Sequence, residues 1–201
     1  MNSDAHAPRE QAAKPGTAFD PFQDRLCRDI RNQLSESIIP CLSTRCLDPA
    51  QQVAERFFAL DLTPPQLAYI KQRLAGYAQF LERAATGPED VLWQGLVLWD
   101  LGLHFEVHEL LEQAWHRAQG EEKLLLQAMI RASGVYIKGV YGYTGAAAKL
   151  AAKALPVLET HRQRLAAYIE PEQLFAAMRN PASPAPLLLG RAILRPTRSQ
   201  G

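Results

Sequence analysis

The 201-residue chain predicts an all-α protein, an antiparallel helical bundle behind a disordered N-terminal tail. Three observations carry that prediction. Apolar residues recur at helical spacing along most of the chain, the pattern of a one-sided amphipathic helix. A capping residue followed by proline recurs at Asp20-Pro21, Asp48-Pro49 and Thr63-Pro64, which is how helices open when proline takes the first helical position. Strict apolar–polar alternation and Asn-Gly or Asp-Gly turns are both missing from the sequence, so the signals of a hairpin-built sheet are missing too.

Residues 1–19 are polar and rich in Ala and Pro, and they are expected to be disordered. The first helix is expected to open at Asp20-Pro21, carry Phe22, Leu26, Ile30, Leu34 and Ile38, and end at Pro40. A short helix follows from Asp48 with Val53, Phe57 and Leu60 on its apolar side, then one from Thr63 with Leu67, Ile70, Leu74, Tyr77 and Leu81. Gly87-Pro88 divides this N-terminal region, 20–86, from a second helical region, 88–180. That region opens with VLWQGLVLWDL, apolar enough to be buried on most sides, and Gly102 is placed to end it as a residue with positive φ. HFEVHELLEQAWH then forms a helix of its own that stops near Gly120. The next helix loses its regularity near Gly142. An Ala-rich one beyond it should be kinked or divided by Pro156, which has no N–H to give. A last short helix is expected over residues 172–178. The proline-broken segment 181–201 should lay its LLLG and AIL pieces across the bundle and leave its arginines solvated. Connections this short favour antiparallel neighbours.

Composition excludes more than it selects. The net charge of +1 gives no field for nucleic acid. No run approaches the ~20 apolar residues of a membrane span, and the N-terminus lacks the apolar core of a secretory signal. Cys27, Cys41 and Cys46 lack the C-x-x-C spacing of a zinc or redox motif and read as free thiols in a reducing compartment. The expectation is a cytoplasmic protein, with no nucleic-acid or membrane partner, whose apolar helical surface suits a homodimer.

The chemistry is concentrated in HFEVHELLEQAWH, His104 to His116. At about 100° per residue, Leu110, Ala114, Val107 and Leu111 span roughly 240–340° from His104, and Trp115, His108, Glu112 and Phe105 follow at about 20–100°. This wheel places His108 and Glu112 inside the apolar arc and Glu106, Glu109 and Gln113 toward water. His108 and Glu112 are four residues apart, so their side chains are neighbours. A buried ionisable pair must be hydrogen-bonded, neutralised or bound to a metal, and three readings follow. The pair is a satisfied structural or interaction core, with Trp115 shielding it. Alternatively, it supplies two ligands to a divalent metal, with His104 as a further candidate, in a binding protein or a hydrolase. In the third reading it is a metal-free acid–base or small-anion site in a bundle cleft. The zinc-protease pattern H-E-x-x-H is excluded, because Glu112 stands where its second histidine belongs. Gln127, Arg131 and Lys138 share a stripe on the following helix. Arg131 is placed there to neutralise Glu112 and disfavour a metal.

Phe105-Glu106, His108-Glu109, Glu112 and Trp115 match F-E-x-H-E-x-x-E-x-x-W. Leu126-Gln127-Ala128-Met129-Ile130-Arg131 and the turn Gly142-Tyr143-Thr144-Gly145-Ala146-Ala147 follow at matching positions. On these residues the chain resembles the bacterial, archaeal and plastid proteins grouped as domain of unknown function 309, over roughly residues 90–160. The resemblance implies an all-helical fold, a bacterial origin and a metal or other functional role for the His/Glu motif, with no reaction attached. Arg131 replaces a glutamine usual in that family, and Lys138 a histidine that is common there. Both changes add positive charge and count against a metal.

Overall fold

The computed structural model describes residues 18–190. Nearly all of the expected N-terminal tail, the AIL piece and the last arginines lie outside the described residues. Within them the chain forms nine helices and no strand. These are α1 (Arg25–Thr44), α2 (Asp48–Phe58), α3 (Pro64–Ala84), α4 (Val91–Asp100), α5 (His104–Arg117), α6 (Gly120–Val140), α7 (Thr144–Thr160), α8 (Arg162–Ala166) and α9 (Pro171–Arg179).

The starts and stops follow local chemistry. Thr63 and Gln66 form the capping box of α3. Asp90 caps α4 by accepting from the N–H of Leu92 and Trp93. Gly102, at φ +71°, ends α4: its N–H donates to Trp99 O, and that of Leu103 to Leu98 O. This paired arrangement needs a left-handed residue at its centre. Gly142, at φ +78°, turns α6 into α7 in the same way, with Tyr143 N–H donating to Lys138 O.

Four expectations shift. Asp20 caps only a turn, accepting from the N–H of Phe22 and Gln23. Asp24, which accepts from Cys27 N–H, is the cap of α1. Neither Pro40 nor Pro156 ends or divides its helix. Each lacks one N–H bond, but both flanks are held by packing: Ile38, Cys41, Ala154 and Leu158 are all fully buried. Leu60 falls beyond α2 and is 49% exposed.

The largest helix contacts are those of α6 with α7 and of α5 with α6. Ala118 and Gln119 alone join α5 to α6, so the chain reverses between packed neighbours. One core runs from Ile38 and Cys41 of α1 and Tyr77 and Phe80 of α3 through α4–α9 to Leu188. A smaller one joins Ile30 and Leu34 to Val53, Phe57 and Ile70 among α1–α3. The segment after α9 is tied down by Asp100, whose carboxylate oxygens accept from the N–H of Leu188 and Leu189, and by Trp99, whose indole N–H donates to Pro186 O. Cys27 and Cys41 are buried, Cys46 is half-buried, and all three are free thiols. Among the described residues no helix is long and apolar enough to cross a membrane.

Candidate functional site

Helix α5 is packed by α6 and α4 and also by α1. Three successive residues, Phe105, Glu106 and Val107, are buried near its start, followed by Leu110 and Leu111. A helix contacted by a single layer buries one stripe. Burial of three residues in a row requires neighbours on more than one side, and that displaces the polar residues from the faces the wheel assigned them.

Glu106, expected to face water, is the most deeply buried ionisable group of the helix at 0% exposure. Its Oε1 accepts from the Tyr77 hydroxyl at 2.6 Å, and its Oε2 from Arg73 Nη1 at 3.2 Å. Arg73 also donates to Gly102 O, so one guanidinium links α3 to both the turn before α5 and its first acid. Burial opposes the charge on Arg73, yet Glu106 and then Tyr69 outweigh it and its pKa is raised. Burial and the adjoining Glu106 push the Tyr77 hydroxyl well up.

His108 and Glu112 are the reverse case. Their side chains are 36% and 44% exposed, and His108 Nδ1 lies 3.8 Å from Glu112 Oε2, too far for a hydrogen bond. The buried pair expected from the wheel is therefore a partly solvated one. Glu109, expected outward, joins it: Nδ1 of His108 is 3.9 Å from Glu109 Oε1. One ligand atom from each of His108, Glu109 and Glu112 lies within 4.8 Å of the others. Burial lowers the pKa of His108, opposed by Glu112 and aided by Arg31. Burial also raises Glu109, and with Glu36, Glu112 and Glu106 nearby it reaches about 7 against the pull of Arg31.

The remaining predicted residues do not converge on this cluster. The His104 ring lies edge-on to Trp99 at 5.2 Å and stacks near Tyr136 at 5.3 Å. Burial there, helped by Arg73, lowers its pKa to about 4. Trp115 is half-buried, lies under Lys123 at 4.6 Å and meets His116 edge-on. Glu112 pairs with His108, not with Arg131, which is half-buried on α6, as is Gln127. Lys138 lies over the Phe22 ring at 3.9 Å, held by the segment before α1. Phe105 is buried beneath Arg31, whose guanidinium carbon is 4.6 Å from the ring centroid. The cation that acts on His108 and Glu109 is thus Arg31 of α1. Its only sequence signal is an arginine in the register of a buried stripe, one position after Ile30.

The arrangement offers one imidazole and two carboxylates, mutually close and reachable from solvent. Such a set can hold a divalent cation while leaving positions open. No curated protein and no solved structure matches the chain. Residues 92–150 match the model of the family described as Domain of unknown function (DUF309). The match covers nearly all of α4, the whole of α5 and α6 and the start of α7, so it takes in the motif helix whole, and over those residues the chain is similar to that family.

Proposed function

We propose that the chain is a helical divalent-cation-binding protein whose ligands are His108, Glu109 and Glu112. The observation that carries this reading is the convergence of the three ligand atoms within 4.8 Å on the half-open face of α5. Two features support it. Arg131 is not set against Glu112, so no guanidinium competes from α6. Burial first, and neighbouring carboxylates second, raise the pKa of Glu109 to about 7, and a cation would relieve the repulsive part of that cost. A mixed nitrogen and oxygen set suits zinc, manganese or ferrous iron. With only three side chains, coordination would be completed by water, and a bound cation would supply Lewis acidity for hydrolysis. The structural role first weighed for His108 and Glu112 passes to Glu106, Tyr77 and Arg73.

The test is metal content by elemental analysis, together with calorimetric titration of zinc, manganese and iron(II) into the wild type, His108→Ala and Glu109→Gln. One equivalent bound by the wild type and lost in both variants is expected. Equal binding by all three proteins, or by none, overturns the reading.

A second reading, an interaction module that pairs with its own copy, draws on Phe58 and Leu60, 42% and 49% exposed beside the α2–α3 turn. Sedimentation at several concentrations decides it, since a monomer throughout removes the homodimer. We also place the protein in the cytoplasm, on the strength of its free thiols, with the region 20–86 acting as a cover for the motif region 88–180.

A further inference from the structure

Arg31 makes no ion pair with any described residue, and its Nε is buried without a hydrogen-bond partner. A half-buried guanidinium in that position is costly, because desolvation is not repaid by a counter-ion. Burial accordingly lowers its pKa, with Tyr69, Glu109 and Tyr141 only partly compensating. Nearby groups also lack hydrogen-bond partners, although Arg73 itself is paired with Glu106 through Nη1. The Tyr69 hydroxyl is buried and unpartnered, and so is Arg73 Nε. The Tyr69 ring is held in place by Phe19, stacked at 3.7 Å and 6°, and by the Arg73 guanidinium 4.7 Å from its centroid. The region therefore presents positioned donors from α1 and α3 without acceptors for them. An unpaired guanidinium with a free hydroxyl donor nearby is complementary to an oxyanion.

We propose that Arg31 and Tyr69 bind an oxyanion, the phosphate or carboxylate group of a small-molecule ligand, beside the His108–Glu109–Glu112 cluster. Phe105 supports the guanidinium from below, and the Phe19–Tyr69 stack fixes the direction of the hydroxyl. The anion replaces water and supplies the counter-charge that the fold does not. This goes beyond the cation reading and stands without it. Were both sites filled, a metal drawing on Glu109 would take away a carboxylate that acts on Arg31, and the anion would replace it.

The experiment titrates metal-free full-length protein with inorganic phosphate and, separately, with acetate at constant ionic strength, using chloride as the control. Calorimetry is run on the wild type, Arg31→Gln and Tyr69→Phe, with helical content checked by circular dichroism. Saturable binding of phosphate or acetate at one equivalent is expected. It should weaken by roughly tenfold or more in Arg31→Gln, the worth of one charge-assisted hydrogen bond, and by a few-fold in Tyr69→Phe, which keeps the ring stack. The tighter of the two anions identifies the ligand group. Chloride matching both anions, no saturable binding, or wild-type affinity in Arg31→Gln overturns the proposal. Zinc titration of the same samples without anion reads the cation site separately, so a protein that binds phosphate through Arg31 and no metal would refute the cation reading alone.

Discussion

Replacing Glu106 by Gln should destabilise the protein far more than replacing Glu112 by Gln. Glu106 is fully buried and accepts from Tyr77 at 2.6 Å and Arg73 at 3.2 Å. The side chain of Arg73 is only 13% exposed. Glutamine keeps the shape and one acceptor oxygen but removes the charge, leaving a guanidinium buried beside a neutral amide. Breaking a buried pair from one side costs about 3–5 kcal/mol, and the retained acceptor favours the low end, ~3 kcal/mol. For a chain of this size that is a drop of roughly 6–12 °C in Tm. Glu112 is 44% exposed and 3.8 Å from His108, so its loss should cost under about 0.5 kcal/mol. Urea unfolding followed by circular dichroism measures both. A double-mutant cycle adding Arg73→Met should recover part of the loss, because the stranded charge goes with it. Equal costs for the two glutamates, or a coupling below ~0.5 kcal/mol between Glu106 and Arg73, would refute the assignment of the buried acid.

The other predictions concern His104, Asp100 and Gly102. The pKa of His104, lowered to about 4 by burial and by Arg73, means that below its ordinary value the unfolded chain takes up a proton that the folded one refuses. Stability should fall as pH drops from about 6.5 to about 4, by at most about 3 kcal/mol from this group. His104→Phe should flatten that part of the wild-type curve, and an unchanged slope would contradict the buried neutral ring. Asp100→Ala removes the acceptor of the Leu188 and Leu189 N–H groups. It should cost about 1–3 kcal/mol and abolish slow hydrogen exchange at those two amides; retained protection would show another anchor. Gly102→Ala adds a methyl group that meets nothing within 4 Å, but at φ +71°. The expected loss of roughly 1 kcal/mol is then purely conformational, and a neutral result in urea unfolding would count against that turn.

Much of the fold was legible from local pattern. The cap-and-proline start at Thr63-Pro64, the opening of α2 at Asp48-Pro49, the stops at Gly102 and Gly142, and the continuously apolar α4 depend on interactions within a few residues, which a sequence displays directly; at α2 the cap position belongs to Leu47 and Asp48 is already helical. The first start was misplaced by a few residues because Asp20 and Asp24 can each cap. The stop expected at Pro40 and the division expected at Pro156 do not occur, because a lost backbone bond is a local cost, whereas the packing that outweighs it is not local.

The site was half legible. The sequence by itself determined that α5 concentrates the ionisable groups and that His108 and Glu112 are neighbours, since both follow from helical spacing. Only the tertiary structure decided which carboxylate is buried. A helical wheel ranks faces by the helix's own apolar residues, but burial depends on what the other helices bring. Here α3 brings Tyr77 and Arg73, donors that make a buried Glu106 tolerable, and α1 brings Arg31 across Phe105. No spacing within α5 encodes those partners, 29 and 33 residues before Glu106 and further still before Phe105, because they reach it through packing and not through helical repeat.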